Sequence, residues 1–377
     1  MPSILAYKTA WFMALCLSVY LWHHSISFFT SFRGAMMSVD SALIPVLDGH
    51  NDVLLRVAYR QEGEDYSFFL ENQDGHLDLP RAKAAGFAGG FFAIYIPPVS
   101  DDSHAPLDRY YALDQAMLIS SCLFQLERQS GGELKVVQDV GELEGQVKSG
   151  RIGAIMHMEG AEPIDEDLHA LEVFYRAGLR SIGIVWSRPN AFGYGVPFVF
   201  PSTPDIGPGL TDAGKRLVKA CNELGILVDV SHLNEAGFWD VVKISEAPIV
   251  ATHSNVHAIC PVSRNLTDRQ LDAIKDSDGM VGLNFAVAFL RPDGKRIADT
   301  PIDIMIRHID YLVERVGIDR VGLGSDFDGA LISSHISDVT GLPKLLNALR
   351  EHGYSQEELE KMAFRNWLRV LKLTWKS

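Results

Sequence analysis

The chain has 377 residues, of which 47% are hydrophobic and 22% charged, and this composition is typical of a soluble globular protein with one large or two ordinary domains. Its formal net charge of −14 argues against a nucleic-acid partner, because phosphate binding needs clusters of lysine and arginine that the sequence does not contain. Four cysteines without C-x-x-C spacing are too few for a disulfide framework in a chain of this length.

The N-terminal segment is the one region of unusual composition. Lys8 precedes an apolar run over residues 10–22, which has the length of a signal-peptide core but is short for a membrane span. No convincing small-x-small cleavage site follows it in the sequence. Met36 and Met37 offer a second interpretation, in which translation begins there and residues 1–35 lie outside the fold.

We therefore predict two parts, an apolar extension over residues 1–40 and a single barrel domain over residues 41–377. We expect a cytoplasmic protein. A periplasmic or membrane-anchored protein is the alternative if the apolar run is a true signal or anchor.

Beyond residue 40, short β-type runs alternate with helical patterns. Several runs are almost continuously apolar, such as RIGAIMHME and GILVDVSH, as expected for parallel strands that are covered on both faces. The eight predicted strands are Pro45–Asp48, Phe87–Ile96, Ile152–Glu159, Ser181–Trp186, Ile226–Ser231, Ile249–His253, Met280–Phe285 and Arg320–Asp326. Eight βα units with a C-terminal helical extension predict an α/β fold, a (β/α)8 TIM-type barrel.

Capping signals mark three of the predicted helix starts. Thr211 precedes an amphipathic run and can cap it. Thr267 with Gln270, and Ser355 with Glu358, have the spacing of capping boxes.

The longest irregular segment is residues 187–210, which is rich in glycine, proline and aromatic residues. Because it follows a strand end, where the active sites of such barrels lie, we predict that it forms a pocket wall or a lid. An ordinary surface loop is the alternative interpretation.

Polar side chains stand at the carboxyl ends of five predicted strands. Parallel strands bring these ends together at one mouth of a barrel, so residues distant in sequence should meet there. The six residues are His50 and Asp52 in DGHND, Glu159 in MHMEG, His232 in DVSH, His253 in ATHS and Asp326 in GSDFDG. Alone, His-x-Asp is a weak signal that also fits a hydrogen-bonded turn. Together, three histidines and three carboxylates suffice for two metal ions that share a bridging carboxylate.

The charges of such a site balance. Two Zn²⁺ ions carry four positive charges, and Asp52, Glu159, Asp326 and a bridging hydroxide carry four negative ones. A site of this kind lowers the pKa of its bound water and polarises a carbonyl group, which is the chemistry of amide hydrolysis. Asp326 would hydrogen-bond that water and pass its proton to the leaving amine.

The motifs DGHND, MEG, DVSH, ATHS, SRN and GSDFDG, in this order and spacing, resemble the membrane dipeptidase (renal dipeptidase) family of zinc peptidases, with this chain as a bacterial-type member. The resemblance covers roughly Val46 to Trp375. It implies a (β/α)8 barrel with two Zn²⁺ ions per chain. It also implies hydrolysis of small dipeptide substrates, often with a D-residue at the C-terminal position.

The resemblance also implies roles for individual residues. His50 and Asp52 would bind one zinc ion, and His232 and His253 would bind the other. Glu159 would bridge the two ions together with a water or hydroxide, which places it among the catalytic residues.

Two further roles concern the substrate. The resemblance implies that Asp326 is the acid/base carboxylate beside the bridging water and that Arg264 binds the substrate's C-terminal carboxylate. Arg264 also fits this role on physical grounds, because it follows the sixth predicted strand and a guanidinium there can grip a carboxylate through two hydrogen bonds. The alternative is that Arg264 pairs with Asp268 or caps a helix.

One residue departs from the family pattern. Where mammalian-type members carry a substrate-contacting histidine near the end of the fourth strand, this chain has Trp186, whose indole N–H can donate a hydrogen bond but cannot take up a proton. We expect Trp186 to contact the substrate, with Asn190 or Arg188 standing in for the histidine.

The remaining histidines receive less specific interpretations. His157 alternates with Glu159 along its strand, and we expect a supporting or core role for it. The histidines predicted to be solvated in loops or helices are His76, His104, His169, His308, His335 and His352.

The sequence thus predicts a dinuclear zinc dipeptidase. One alternative is an amidohydrolase that uses the same barrel and metals on N-acyl amino acids or other small amides. Another is a zinc-binding protein without turnover, against which the complete set of ligands argues. The oligomeric state stays open, with a homodimer as one option.

Overall fold

A computed structural model describes residues 43–60, 66–100 and 102–376, and the N-terminal extension over residues 1–40 lies outside these ranges. Nine parallel strands are formed by the described residues. They are β1 (Val46–Asn51), β2 (Phe87–Tyr95), β3 (Leu134–Val136), β4 (Ile152–Glu159), β5 (Leu179–Gly183), β6 (Leu227–Asp229), β7 (Val250–Ala251), β8 (Met280–Leu283) and β9 (Val321–Leu323).

Eight of these strands close into the barrel that the sequence predicts. β1 pairs with β2 on one side and with β9 on the other, and β2 pairs with β4, so the ring is complete. From β4 to β9 each strand pairs with the next one along the chain. The predicted (β/α)8 fold is therefore confirmed.

The sequence did not reveal β3, which lies outside the ring. It pairs with the first half of β4, over Ile152–Ala154, whereas β5 pairs with β4 only from Met156 onward. β3 has three residues, and the central one is Lys135, so it contains no apolar run that could have marked it. The barrel strands β5 to β9 also end earlier than predicted, and polar residues follow them in the loops.

Helices surround the barrel and form the predicted C-terminal extension. They are α1 (Val53–Ala58), α2 (Leu79–Ala84), α3 (Arg109–Gln129), α4 (Val140–Ser149), α5 (His169–Ala177), α6 (Asp212–Leu224), α7 (Glu235–Ile244), α8 (Asp268–Asp276), α9 (Val287–Leu290), α10 (Ile302–Val316), α11 (Leu342–His352), α12 (Gln356–Glu360) and α13 (Asn366–Thr374). None of the described helices is both long and apolar enough to cross a membrane.

The predicted capping signals are present at the starts of α6, α8 and α12. The Thr211 hydroxyl accepts a hydrogen bond from the Gly214 N–H at 3.0 Å. Capping boxes open α8 at Thr267 and α12 at Ser355. These contacts satisfy N–H groups that have no partner inside the helix, and they fix where the helices begin.

The C-terminal extension closes the amino end of the barrel. Trp367, in α13, is fully buried and packs with the barrel-interior side chains Leu47, Phe91 and Met280 in one apolar cluster. Its ring centroid lies 5.1 Å from that of Phe91, and its indole N–H donates to the Leu323 carbonyl at 3.2 Å. The amino end is thus filled by apolar packing, which leaves the opposite mouth for polar chemistry.

We predict that Trp367→Ala lowers the free energy of unfolding by about 3–5 kcal/mol, because it removes a fully buried ring from a packed interior. The matched control is Leu373→Ala in the same helix, since Leu373 is 52% exposed. The control should change the free energy of unfolding by no more than about 0.5 kcal/mol. Urea unfolding followed by circular dichroism measures both. Equal effects of the two substitutions would contradict this account of the barrel closure.

Candidate active site

The first site residues lie at the end of β1 and just after it. His50 is in β1, and Asp52 directly precedes α1. Gly49 permits a close approach here, because a Cβ atom at this position would lie 2.2 Å from the Thr252 carbonyl oxygen. The glycine of DGHND thus lets the end of β1 pack directly against the segment that carries His253.

Glu159, the last residue of β4, lies between three histidines. Its Oε1 atom is 3.0 Å from Nε2 of His232, 3.6 Å from Nε2 of His253 and 3.7 Å from Nε2 of His50. The Nε2 atoms of His232 and His253 are 3.0 Å apart. Burial raises the pKa of Glu159 well above its usual value. The structure therefore brings these four residues together at one point.

His50 joins this group to Asp52. Its Nε2 atom is 3.2 Å from Oδ2 of Asp52, and its ring stacks on that of His253 with centroids 3.8 Å apart. Burial favours the neutral imidazole, but the carboxylates of Glu159 and Asp52 outweigh it and raise the pKa of His50 to about 10. The carboxylates thus create a strong local preference for positive charge at this point.

Hydroxyl groups contact the Nδ1 atoms of His232 and His253 and orient the two rings. Nδ1 of His232 lies 2.7 Å from the Ser187 hydroxyl, and Nδ1 of His253 lies 2.8 Å from the Thr252 hydroxyl. Thr252 in turn donates to Asp229 through its hydroxyl at 2.5 Å and its N–H at 2.9 Å. Burial lowers the pKa of both histidines, so each presents a neutral Nε2 atom toward Glu159. Neutral imidazoles held in this way are typical metal ligands.

Asp326 completes the group from the loop after β9. Its backbone is left-handed, with φ of 60°, and its Oδ2 atom accepts a hydrogen bond from the Asn284 amide at 2.9 Å. Burial raises its pKa. Gly329 is required nearby, because a Cβ atom there would lie 2.1 Å from Oδ2 of Asp52 and 2.5 Å from Oδ1 of Asp326.

This group opens into a cavity of about 430 Å³. The aromatic side chains that line the cavity are Tyr95, Trp186, Phe198, Phe200 and Phe289. The predicted role of residues 187–210 as a pocket wall is confirmed, because Phe198 and Phe200 belong to this segment. Such a concave, largely apolar pocket with convergent polar groups at one end is typical of a small-molecule site.

Trp186 forms part of this wall beside the histidines. Its ring centroid is 5.8 Å from that of His232 and 5.6 Å from that of Phe198. The ring of His104, from the loop after β2, stacks on Trp186 with centroids 5.9 Å apart. Trp186 is therefore held between a candidate metal ligand and a second imidazole.

Arg264 lies close to the pocket but is only 3% exposed. Its guanidinium donates to the Ser254 hydroxyl at 2.7 Å and to the His253 carbonyl at 2.9 Å. It also lies 5.8 Å from the ring centroid of Phe289, which lines the cavity. Its Nε atom has no hydrogen-bond partner among the described residues.

The structure does not bring Asn190 and Arg188 to the polar group. Asn190 donates to the Ile184 carbonyl at 2.8 Å, accepts from the Phe192 N–H at 2.9 Å, and lines a different cavity. Arg188 is fully buried in an ion pair with Glu162 at 2.7 Å. Both side chains therefore hold the loop after β5 in place.

Three histidines that we expected to be solvated are buried or partly buried, namely His76, His104 and His308. His308 is 0% exposed; its Nδ1 atom accepts from the Val256 N–H at 3.2 Å and its Nε2 atom lies 2.9 Å from the Leu290 carbonyl. His76 accepts a hydrogen bond from the Asp328 N–H through Nδ1 at 2.9 Å. Tertiary contacts hold these three rings, which helical or loop position alone could not indicate.

His157 has the expected core position, and burial lowers its pKa to about 3.

Sequence reasoning missed several residues that support the site. Ser187 and Thr252 orient two of the histidines, and Asn284 binds Asp326. Asn284 follows β8, so the rule that polar residues gather at strand ends would have found it if applied to that strand. Ser187 and Thr252 carried no such signal, because hydroxyl side chains are common near strand ends.

Comparison with known proteins identifies the family. A family model described as "Membrane dipeptidase (Peptidase family M19)" matches residues 40–376. A crystal structure of a metallo peptidase from Rhodobacter sphaeroides, liganded with a phosphinate mimic of the dipeptide L-Ala-D-Ala, is 49% identical, with a TM-score of 0.86 over 89% of this chain and 100% of that chain. A structure of the dipeptidase AC, also a metallo peptidase, is 50% identical, with a TM-score of 0.85 over 89% of this chain and 100% of that chain.

A sequence relative from Klebsiella pneumoniae, an uncharacterized protein in the pqqA 5' region, is 50% identical over 253 residues, which cover 67% of this chain and 93% of the relative. The family match spans the barrel and every residue of the polar group described above. The chain therefore belongs to the membrane dipeptidase family, peptidase family M19, and is a metallo-dipeptidase.

Proposed function

We propose that this protein is a dinuclear zinc enzyme that hydrolyses the peptide bond of dipeptides, including dipeptides with a C-terminal D-residue. The observation that carries the proposal is the approach of three imidazole Nε2 atoms to Oε1 of Glu159, at 3.0, 3.6 and 3.7 Å. The phosphinate mimic of L-Ala-D-Ala in the Rhodobacter sphaeroides relative supports the D-residue.

The donor set fits two zinc ions. Two nitrogen atoms that bind the same zinc ion, each at about 2.0–2.1 Å, must lie within roughly 4 Å of each other. The Nε2 atoms of His232 and His253 meet this condition at 3.0 Å. The donor atoms of His50, Glu159 and His253 also lie within 4.8 Å of one another.

In this proposal His50 and Asp52 would hold one ion, His232 and His253 would hold the other, and Glu159 would contribute a ligand to both. Two ions so placed would lower the pKa of a shared water and polarise the scissile carbonyl. The protein's own contribution is the fixed orientation of the ligands. That orientation comes from the hydroxyls behind His232 and His253 and from the packing of His50 against His253.

Asp326 transfers the proton from the attacking water to the leaving amine. Its Oδ2 atom accepts from the Asn284 amide, and Oδ1 lies on the side of Gly329 and Asp52. Burial raises the pKa of Asp326, which makes the carboxylate a better proton acceptor than an exposed aspartate. It can therefore take a proton from the attacking water and deliver it to the leaving amine.

Arg264 binds the C-terminal carboxylate of the dipeptide. Burial lowers its pKa to about 10, so the guanidinium stays protonated at neutral pH. Its buried Nε atom has no hydrogen-bond partner among the described residues, and its Nη contacts to Ser254 and to the His253 carbonyl fix the plane of the group. A charged anchor in a fixed position aligns the peptide bond with the metals.

Trp186 contacts the substrate as part of the aromatic wall. It lies beside His232 and Phe198 and lines the cavity. The role of Asn190 is indirect in this proposal. Its bonds within the loop after β5 support the backbone on which Trp186 is placed.

A substrate panel tests the proposed function. Zinc-loaded protein should hydrolyse L-Ala-L-Ala and L-Ala-D-Ala, and Asp326→Asn should lower kcat/KM by about 10²–10⁴-fold with an unchanged zinc content, because the proton shuttle is lost while the ligands remain. Release of free amino acids gives the rates. Faster hydrolysis of N-acyl amino acids than of any dipeptide would favour the amidohydrolase alternative. Activity of Asp326→Asn within tenfold of wild type would reassign the proton shuttle.

Zinc content tests the dinuclear site. We expect two zinc ions per chain by atomic emission, loss of activity on chelation, and recovery when zinc is returned. Glu159→Gln should retain fewer than two ions, because an amide cannot bridge them as a carboxylate does. Asp167→Asn is the matched control, since Asp167 belongs to an exposed acidic group with Asp165 and His169. A full zinc complement in Glu159→Gln, or zinc loss in the control, would refute the assignment.

A further inference from the structure

Asp328, two residues after Asp326, lines the cavity and is not used by the mechanism above. Its side chain is 1% exposed. Its Oδ1 atom accepts a hydrogen bond from the His76 N–H at 2.8 Å and lies 3.2 Å from Nε of Arg56. Its Oδ2 atom has no hydrogen-bond partner among residues 43–60, 66–100 and 102–376. One carboxylate oxygen in the pocket wall is therefore left without a donor.

The orientation of this carboxylate is fixed by its surroundings. Asp328 has a left-handed backbone with φ of 65°, and its own N–H donates to Nδ1 of His76 at 2.9 Å. His76 thus holds the residue through two hydrogen bonds, one from its backbone and one to its ring. Phe327, the preceding residue, is fully buried. The unpartnered oxygen cannot easily rotate toward another donor.

A buried carboxylate oxygen without a donor is unfavourable, because it has lost its water without gaining a hydrogen bond in return. The surroundings increase the need for a cation, because Asp52 and Asp326 lie close to Gly329, the next residue in the chain. Arg56 contacts only Oδ1 and is itself 39% exposed. A ligand that brings a positively charged hydrogen-bond donor would satisfy Oδ2.

A dipeptide carries such a donor at the end opposite its carboxylate. Arg264, the proposed carboxylate anchor, follows β7, whereas Asp328 follows β9. Phe289, which contacts Arg264, and Asp328 both line the same cavity as Glu159. A substrate whose peptide bond lies at Glu159 can therefore direct its carboxylate toward one of these residues and its ammonium group toward the other.

We propose that Oδ2 of Asp328 binds the α-ammonium group of the substrate's N-terminal residue and so makes the enzyme select dipeptides over N-acylated amino acids. This inference rests on the proposed dipeptidase function and adds a specificity residue to it. A free amino terminus satisfies the oxygen, whereas an N-acyl group brings apolar atoms to it and leaves it without a donor.

The test compares two compounds that differ only in the ammonium group, glycyl-L-alanine and N-acetyl-L-alanine. Wild-type enzyme should prefer glycyl-L-alanine. Asp328→Asn should lower kcat/KM for glycyl-L-alanine by about 10- to 100-fold, because a charge-assisted contact is lost. For N-acetyl-L-alanine, kcat/KM should stay within threefold of the wild-type value. Where turnover of this compound is too slow to measure, its inhibition constant should stay within threefold instead. The zinc content should equal that of wild type.

Two controls separate binding from structure. In Asp328→Asn the amide oxygen can still accept from the His76 N–H, so a purely structural role would be largely preserved. Arg56→Gln removes the contact to Oδ1 of Asp328 but leaves Oδ2 of Asp328 in place. It should therefore change kcat/KM for both compounds by the same factor. Asp299→Asn removes one negative charge from an exposed residue that pairs with His335, and it should not change the preference.

Three results would overturn the inference. The first is an equal loss of kcat/KM for both compounds in Asp328→Asn. The second and third are a change of preference in Arg56→Gln, or in Asp299→Asn, as large as that in Asp328→Asn. If Asp328→Asn does not fold, Asp328→Ser provides the same comparison. A wild-type enzyme that hydrolyses no dipeptide would instead refute the proposed function. Dipeptide hydrolysis with an unchanged preference in the variants would refute only the role of Asp328.

Discussion

The concentration of buried negative charge at one mouth of the barrel is the constraint on which the site depends. Asp52, Glu159 and Asp326 all lie in the lining of a single cavity. Burial raises the pKa of Glu159 and of Asp326, and their field together with that of Asp52 acts on His50. Carboxylates can share such a place only if cations or protons compensate them, because the desolvation of unpaired charges is costly. This concentration of negative charge makes the group a favourable binding site for divalent metal ions.

The fold separates this charged mouth from the packing that stabilises the barrel. At the amino end, Trp367 and its neighbours form an apolar cluster, whereas at the carboxyl end the proposed metal ligands lie on loops and strand termini. His232 and Asp326 both have left-handed backbones, which cost free energy for residues other than glycine. The rigid barrel and the hydrogen bonds with Ser187 and Asn284 maintain these conformations. The geometry of the proposed ligands is therefore supported by residues that are not themselves proposed as ligands.

The sequence predicted the barrel and the six polar residues because both follow from strong local rules. Continuous apolar runs mark buried parallel strands, and the ends of such strands meet, so residue type and position were enough to group His50 with His253. The remainder depends on contacts between segments distant in sequence. β3 was too short and too polar to recognise, and the stacking of His104 on Trp186 joins loops whose paths no local pattern specifies. Asn190 illustrates the same limit, since its amide is used within its own loop.

The segment after β9 shows how one short motif can supply two carboxylates with different environments. Phe327 separates Asp326 from Asp328 and is fully buried, with its ring 5.7 Å from that of Phe285 and 5.9 Å from that of His76. This packing fixes the segment while both aspartates adopt left-handed backbones and line the cavity. Asp326 receives a neutral amide donor beside the proposed metal ligands, whereas Asp328 is held by His76 and keeps one oxygen without a partner among the described residues. Because the two environments differ, one carboxylate is suited to proton transfer and the other to recognition of a cation.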